Sequence, residues 1–177
     1  MNLKRLFLWA TIFLALLVYV VFFEKPELKK DTKNIRQQDD FAKVLLLDQE
    51  DIKEIQLSRE GKKARLVKKG SAWEVAPPAR AGIQKELFEG LVSALTDAVN
   101  LGVADENPLN LEQFGLVQPS ITARIFLRDK SEPVALLIGC LTPSGVSVYA
   151  KIESEKKVFM TGTYLTFSIK MFMDNIQ

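Results

Sequence analysis

The sequence predicts an α+β protein that is held to a membrane by an N-terminal transmembrane helix. Three observations lead to this class: a continuous apolar run near the N-terminus, several short segments with the alternating apolar pattern of β-strands, and two segments with the four-residue apolar spacing of helices. Strand-like and helical segments follow each other as antiparallel β-meanders, each followed by a helix.

The apolar run covers residues 6–23, in which Thr11 is the only clearly polar residue. As a helix it would be about 27 Å long, close to the thickness of the bilayer hydrocarbon core. Trp9 and Tyr19 lie near its ends, where aromatic rings favour the membrane interface. A cleaved signal peptide is disfavoured because no small-residue cleavage site follows the run. We therefore expect residues 1–23 to be a transmembrane anchor.

The charges that flank the anchor bear on its orientation. Lys4 and Arg5 precede it without a nearby acid, which favours a cytoplasmic N-terminus. Residues 24–40 carry five basic and five acidic residues and little apolar surface, so they are expected to form a charged linker. The basic residues of this linker weaken the charge rule, but a signal anchor with the following domain outside the cytoplasm remains the simplest interpretation.

Residues 41–177 are predicted to form a single α+β extracytoplasmic domain, long enough for one core. The first meander has strand patterns at 52–59, 64–68 and 73–76, ended by Pro77-Pro78. The second has strand patterns at 121–128, 134–138, 146–152 and 157–161.

Helical spacing of leucines predicts a helix over 83–99 between the two meanders, and a final helix is expected over 163–175. A brief strand is expected at 101–103. A helical turn is expected at 109–114, closed by Gly115 in the left-handed conformation.

Composition excludes several kinds of chemistry. The chain of 177 residues has no His and one Cys, so it lacks the commonest general base and any cysteine-clustered metal site. Residues 41–177 have equal numbers of basic and acidic side chains, which argues against nucleic-acid binding. Cys140 has no His to activate it, and Ser144 lies in a Pro-Ser-Gly turn without the pattern of a nucleophile elbow. We expect no catalytic, metal or cofactor-binding residues.

Five basic residues lie close together in the first meander: Lys62, Lys63, Arg65, Lys68 and Lys69. One interpretation is a solvated face, turned away from Leu66, that also protects a sheet edge. The other is a contact with an anionic lipid or glycan.

The final helix has more apolar surface than one buried face requires. Its predicted core stripe is Leu165, Ile169, Phe172 and Ile176. Phe167 and Met171 are four residues apart on a different flank, and Met173 is expected to add apolar surface there. Either the helix is lodged in a groove that covers both flanks, or these three residues form a patch on which a partner protein docks.

An ordered set of short motifs gives the chain a family resemblance. Over residues 42–175 it resembles the bacterial domain-of-unknown-function family 4340. The motifs are Trp73-Glu74-Val75 with Pro77, Phe114-Gly115-Leu116 with Pro119, Leu137-Ile138-Gly139, and a strand that contains Tyr149.

The resemblance implies a bacterial inner-membrane protein with one N-terminal span, a periplasmic domain and no established catalytic residues. Such proteins are often encoded beside gliding-motility-type ABC transporter components. We therefore expect a non-enzymatic accessory or scaffold subunit of an envelope complex that binds transporter subunits and needs no cofactor. The alternative is a periplasmic binding module for an envelope lipid or polysaccharide. A hydrolase with a Ser/Lys or carboxylate pair is a third possibility, which requires titratable groups to converge in a cleft.

Overall fold

The structure, a computed structural model, describes residues 42–77 and 84–176 of the chain. These residues form an eight-stranded antiparallel sheet and two α-helices. The first meander consists of β1 (Ile52–Arg59), β2 (Lys62–Lys69) and β3 (Ala72–Val75), and α1 (Lys85–Thr96) comes next. Glu60 and Gly61 connect β1 to β2 with positive φ angles of 51° and 79°, as a two-residue hairpin turn requires.

The rest of the sheet comes from the second half of the chain. Its strands are β4 (Asn100–Asp105), β5 (Ile121–Leu127), β6 (Val134–Leu141), β7 (Ser147–Ile152) and β8 (Val158–Gly162). A 3₁₀ turn at Glu112–Phe114 lies between β4 and β5, and α2 (Thr163–Asn175) follows β8. The strand order across the sheet is β3-β2-β1-β5-β6-β7-β8-β4. The two meanders are therefore parts of one sheet, joined where β1 pairs with β5.

Both helices pack on the same face of this sheet and against each other. Phe88 of α1 and Phe172 of α2 meet edge to face, with ring centroids 5.4 Å apart. Alternate strand residues such as Ile55, Leu66 and Ile125 form the sheet side of the main core. The predicted helix stripe of Leu165, Ile169, Phe172 and Ile176 is confirmed, since all four side chains are buried.

A second, smaller core lies on the opposite face of the sheet, over β6, β7 and β8. Phe114, Leu116 and Val158 form it, and Phe114 contacts the ring of Tyr149 edge to face at 5.0 Å. Gly115 adopts a φ of 67°, which confirms the predicted left-handed conformation.

Gly139 of β6 lies directly beneath this segment. A Cβ placed on Gly139 would be 1.9 Å from the carbonyl oxygen of Phe114. The two glycines thus allow the main chain of the turn to rest directly on the strand.

The mostly antiparallel sheet and the two helices agree with the predicted α+β class, but several predicted bounds change. β2 covers 62–69 where 64–68 was predicted, β4 covers 100–105 where 101–103 was predicted, and the 3₁₀ turn is limited to 112–114. α1 ends at Thr96 instead of Val99, because Val99 forms a β-bridge with Lys43. β6 continues to Leu141, past the predicted end at Ile138.

The predicted anchor at 1–23 and linker at 24–40 lie outside the described residues, as does the predicted start of the first helix at Ile83. Within residues 42–77 and 84–176, no helix combines the length and the apolar composition that crossing a bilayer requires.

Candidate functional site

The first candidate surface is an apolar stripe on the outer side of α2. Tyr164, Phe167 and Met171 have exposed fractions of 65%, 59% and 41%. Their spacing of three and four residues places them one above another on one helix face. This face is a flank of α2 beside the residues that enter the core. The helix therefore presents two aromatic rings and a thioether to solvent. We call these three residues the α2 stripe.

Met173 does not belong to the α2 stripe, so its predicted place on the exposed flank is wrong. Its side chain is only 1% exposed and lies in the main core. The reason is helical geometry: Met173 lies four residues after Ile169 and eight after Leu165, which turns it toward the sheet.

The α2 stripe starts near the place where the chain enters the domain. The main chain at Ala42 and Val44 bonds with Asn100 and Ala98, at N–O distances of 2.9 and 2.8 Å. Tyr164 and Val99 line a small cavity of about 150 Å³ between α1, α2 and this entry point.

The ion pair of Lys43 and Asp97 strengthens this entry point. Lys43 Nζ donates to Asp97 Oδ1 at 2.9 Å, and the Ser93 hydroxyl donates to the other carboxylate oxygen at 2.8 Å. The hydrogen bond from Lys43 holds the pKa of the Asp97 carboxyl below its ordinary value. The pair connects the first described residues to the end of α1.

The predicted basic cluster is divided between the two faces of the sheet. Strand alternation places Lys62 and Lys68 on the face of Leu66, and Lys63, Arg65 and Lys69 on the opposite face. The expectation that these residues turn away from Leu66 is therefore wrong for Lys62 and Lys68.

β3 pairs with β2 only at Leu66–Lys69, so the suggested protection of a sheet edge does not apply to Lys68 and Lys69. For Lys62 and Lys63, at the start of β2, it stays a prediction. Lys68 and Lys69 both contact other residues of the domain. Lys68 lies 5.9 Å from the ring centre of Trp73 and donates to the carbonyl of Gln49, while Lys69 pairs with Glu74 at 2.6 Å.

Lys63 and Arg65 of this cluster belong to a polar surface that sequence reasoning did not find. β1 lies between β2 and β5 in the sheet, and alternate side chains of these three strands point to the face opposite the helices. Gln56 lies between Arg65 and Arg124 in this register, and Ser58 lies between Lys63 and Thr122. We call these six residues the open sheet face. The segment around Phe114 covers the other half of the same side.

Glu54 balances one of the three cations of the open sheet face. Arg65 donates from Nε and Nη2 to the two carboxylate oxygens of Glu54, both at 2.8 Å, and Gln56 donates to one of them at 2.6 Å. The hydrogen bond from Arg65 lowers the pKa of Glu54, so this carboxylate is ionised at neutral pH.

Lys63 and Arg124 are exposed, and the side chain of neither has a hydrogen-bond or ion-pair partner among the residues that the structure describes. All six residues of the open sheet face line a cavity of about 640 Å³. This surface has a net positive charge and an opening of ligand size.

Arg124 was missed because it is far from the basic cluster in sequence. The alternation of residues 121–127 does place Thr122 and Arg124 on the polar side of their strand. That signal marks them as solvent-facing, but it does not reveal that their strand pairs with β1.

The residues considered for chemistry show no catalytic arrangement within the described ranges. Cys140 is exposed, and its sulfur is 3.7 Å from the carbonyl oxygen of Gln113. The Ser144 hydroxyl bonds with the Thr142 hydroxyl at 3.0 Å inside a turn. In the described part of the chain, no group of three His, Cys, Asp or Glu residues lies close enough to hold a metal.

Comparison with known proteins identifies one family. Residues 73–175, more than half of the chain, match the family described as domain of unknown function DUF4340. The match starts in β3 and reaches the end of α2, so it includes the glycines at 115 and 139 and the α2 stripe. No curated protein and no solved structure matches the chain.

Proposed function

The chain belongs to the DUF4340 family, and we propose that it is a non-enzymatic accessory or scaffold subunit of a bacterial envelope complex. In this proposal residues 1–23 anchor it in the inner membrane with a cytoplasmic N-terminus, and residues 41–177 form a periplasmic domain. The domain binds other protein subunits, those of an ABC-type transporter. The apolar run at 6–23 and the basic pair Lys4 and Arg5 support the membrane placement.

The observation that carries the proposal is the α2 stripe. Two aromatic rings and a methionine on one exposed helix face are typical of the fully buried centre of a protein interface. The other large apolar side chains of α2 are buried in the main core, whereas those of the α2 stripe are exposed.

The test changes Phe167 and Met171 to Ser together, in the full chain expressed in its native host. Because both side chains are exposed, we expect the unfolding midpoint to change little. Loss of two apolar contacts at an interface centre should lower recovery of transporter subunits with the purified chain at least tenfold.

The matched control changes Leu109 and Val117 to Ser, because both are large exposed apolar residues outside α2. This pair should leave recovery unchanged. Equal loss of recovery in both double variants would show that general surface polarity matters and not the α2 stripe. Unfolding of the Phe167/Met171 variant would mean that the stripe is core, and the docking proposal would then be wrong.

A second candidate function has its own supporting observation. A binding module for an envelope ligand needs a cavity with a few convergent polar groups. The open sheet face provides such a cavity, with two cations that have no partner among the described residues. This function is compatible with a scaffold role, because the two surfaces lie on opposite sides of the sheet.

A further inference from the structure

We infer that the open sheet face binds the phosphate ester of a polyol, such as a phosphorylated saccharide or the glycerol phosphate of a lipid headgroup. The inference rests on the second candidate function, and it does not depend on docking at the α2 stripe. It goes beyond the predicted anionic contact, because Lys62, Lys68 and Lys69 are excluded from the site and Arg124 is added.

The charges of this surface favour an anion. Lys63, Arg65 and Arg124 supply three positive charges, and Glu54 supplies one negative charge that is committed to Arg65. The surface therefore has a net charge of about +2. Lys63 and Arg124 have no partner within the described residues, so an anion can reach both without breaking an ion pair.

Strand register brings these cations within reach of one ligand. Arg65 and Arg124 both lie opposite Gln56, one strand away on each side, so their Cα atoms are about 10 Å apart. Lys63 lies two residues along β2 from Arg65, a distance of about 7 Å. Because Lys and Arg side chains are long and flexible, the charged ends of Lys63 and Arg124 can converge on a single phosphate. Arg65 stays paired with Glu54 through Nε and Nη2 and lies between them.

The groups between the cations suit hydroxyls. Ser58, Thr122 and Gln56 lie in the same two cross-strand rows and offer neutral hydrogen-bond donors and acceptors. A bare phosphate would leave some of them without a ligand partner, whereas a polyol ester supplies hydroxyls at the same place. The cavity of about 640 Å³ falls within the range of small-ligand sites.

The experiment measures binding by isothermal titration calorimetry to the full chain in zwitterionic detergent at low ionic strength. The probes are glucose 6-phosphate, glycerol 1-phosphate, sodium phosphate and glucose. We expect at least one ester to bind more tightly than phosphate, and glucose not to bind. A preference for glucose 6-phosphate indicates a saccharide as the source of the ester, and a preference for glycerol 1-phosphate indicates a lipid headgroup; either supports the site.

Variants assign the binding to the open sheet face. Lys63→Gln and Arg124→Gln should each raise the Kd of the preferred ester about tenfold, as loss of a charge-assisted hydrogen bond does. Arg124→Lys keeps the positive charge and should raise the Kd of the ester less than Arg124→Gln does. Thr122→Val should weaken binding of the ester but not binding of inorganic phosphate.

Lys170→Gln is the matched control, because it removes one exposed positive charge from α2 on the other side of the sheet. If it weakens binding as much as Arg124→Gln, the attraction is a general charge effect and the inference is wrong. Equal affinity for phosphate and both esters would also overturn it. Phe167→Ser with Met171→Ser should leave ester binding unchanged, so failure of the docking proposal and failure of this site can be told apart.

Discussion

Gly139 is the motif residue whose identity the structure explains most directly. Its lack of a side chain allows the carbonyl of Phe114 to lie where a Cβ would otherwise be. Gly115, above it, has a φ of 67° and also lies close to the main chain of Cys140. The Phe114-Gly115-Leu116 motif and the Leu137-Ile138-Gly139 motif therefore pack directly against each other, and their role is structural.

We therefore expect Gly139→Ala to lower the free energy of unfolding by about 1–3 kcal/mol, because the added methyl group forces the turn away from β6. Gly90→Ala is the matched control. A Cβ on Gly90 meets no atom within 4 Å, and the residue lies inside α1, so this change should raise stability by about 0.5–1 kcal/mol. Urea unfolding followed by circular dichroism measures both. Equal stability of wild type and Gly139→Ala would contradict the close packing of the turn.

Met171 and Met173 show how far two positions on one turn of helix can differ. The first is 41% exposed and the second 1% exposed, although they have the same side chain. Counting the apolar residues of the helix does not distinguish Met171 from Met173. Their angular positions relative to Leu165 and Ile169 separate them, because each residue advances about 100° around the helix.

At the scale of elements, the β1–β2 pair carries an electrostatic link on its solvent side. Glu54 of β1 and Arg65 of β2 form a two-point hydrogen-bonded ion pair, and the Glu54 side chain is only 14% exposed. The hydrogen bond from Arg65 holds the pKa of Glu54 below its ordinary value of 4.5. A carboxyl with a lowered pKa in the folded state stabilises the fold above its unfolded pKa, and that stabilisation is lost as the pH falls through the folded value.

This linkage predicts a specific dependence on pH. As the pH falls from neutrality through the folded pKa of Glu54, wild type should lose more stability than Glu54→Gln, since the variant has no carboxyl to protonate at this place. Unfolding midpoints in urea at a series of pH values measure the difference. The control Glu50→Gln, in the exposed turn before β1, should retain the wild-type slope. Identical slopes for wild type and Glu54→Gln would contradict the role of the ion pair.

At the scale of the whole molecule, the fold of the described domain is expected to be independent of the proposed anchor. The main core is built from both meanders and both helices, all within residues 42–77 and 84–176. Residues 41–177 are a compact unit by themselves. The fold of the domain should therefore not require the membrane.

Deletion of residues 1–23 is expected to move the protein from the membrane fraction to the soluble fraction with its unfolding midpoint unchanged. The reason is that this segment holds the apolar run, while the buried side chains of the described core come from later residues. Fractionation after a salt wash, together with thermal unfolding of the soluble form, measures both effects. A truncated chain that stays with the membrane would contradict a single anchor.

The sequence by itself determined what depends on residues a few positions apart. The strand bounds at 52–59, the final helix at 163–175 and the left-handed Gly115 follow from local spacing and turn chemistry. Tertiary structure alone decided the pairing of β1 with β5, and with it the meeting of Arg124 and Lys63 on one face. The physical reason is that alternation shows which side of a strand is polar, whereas a strand's neighbour is chosen by the packing of the whole sheet and both helices over one core.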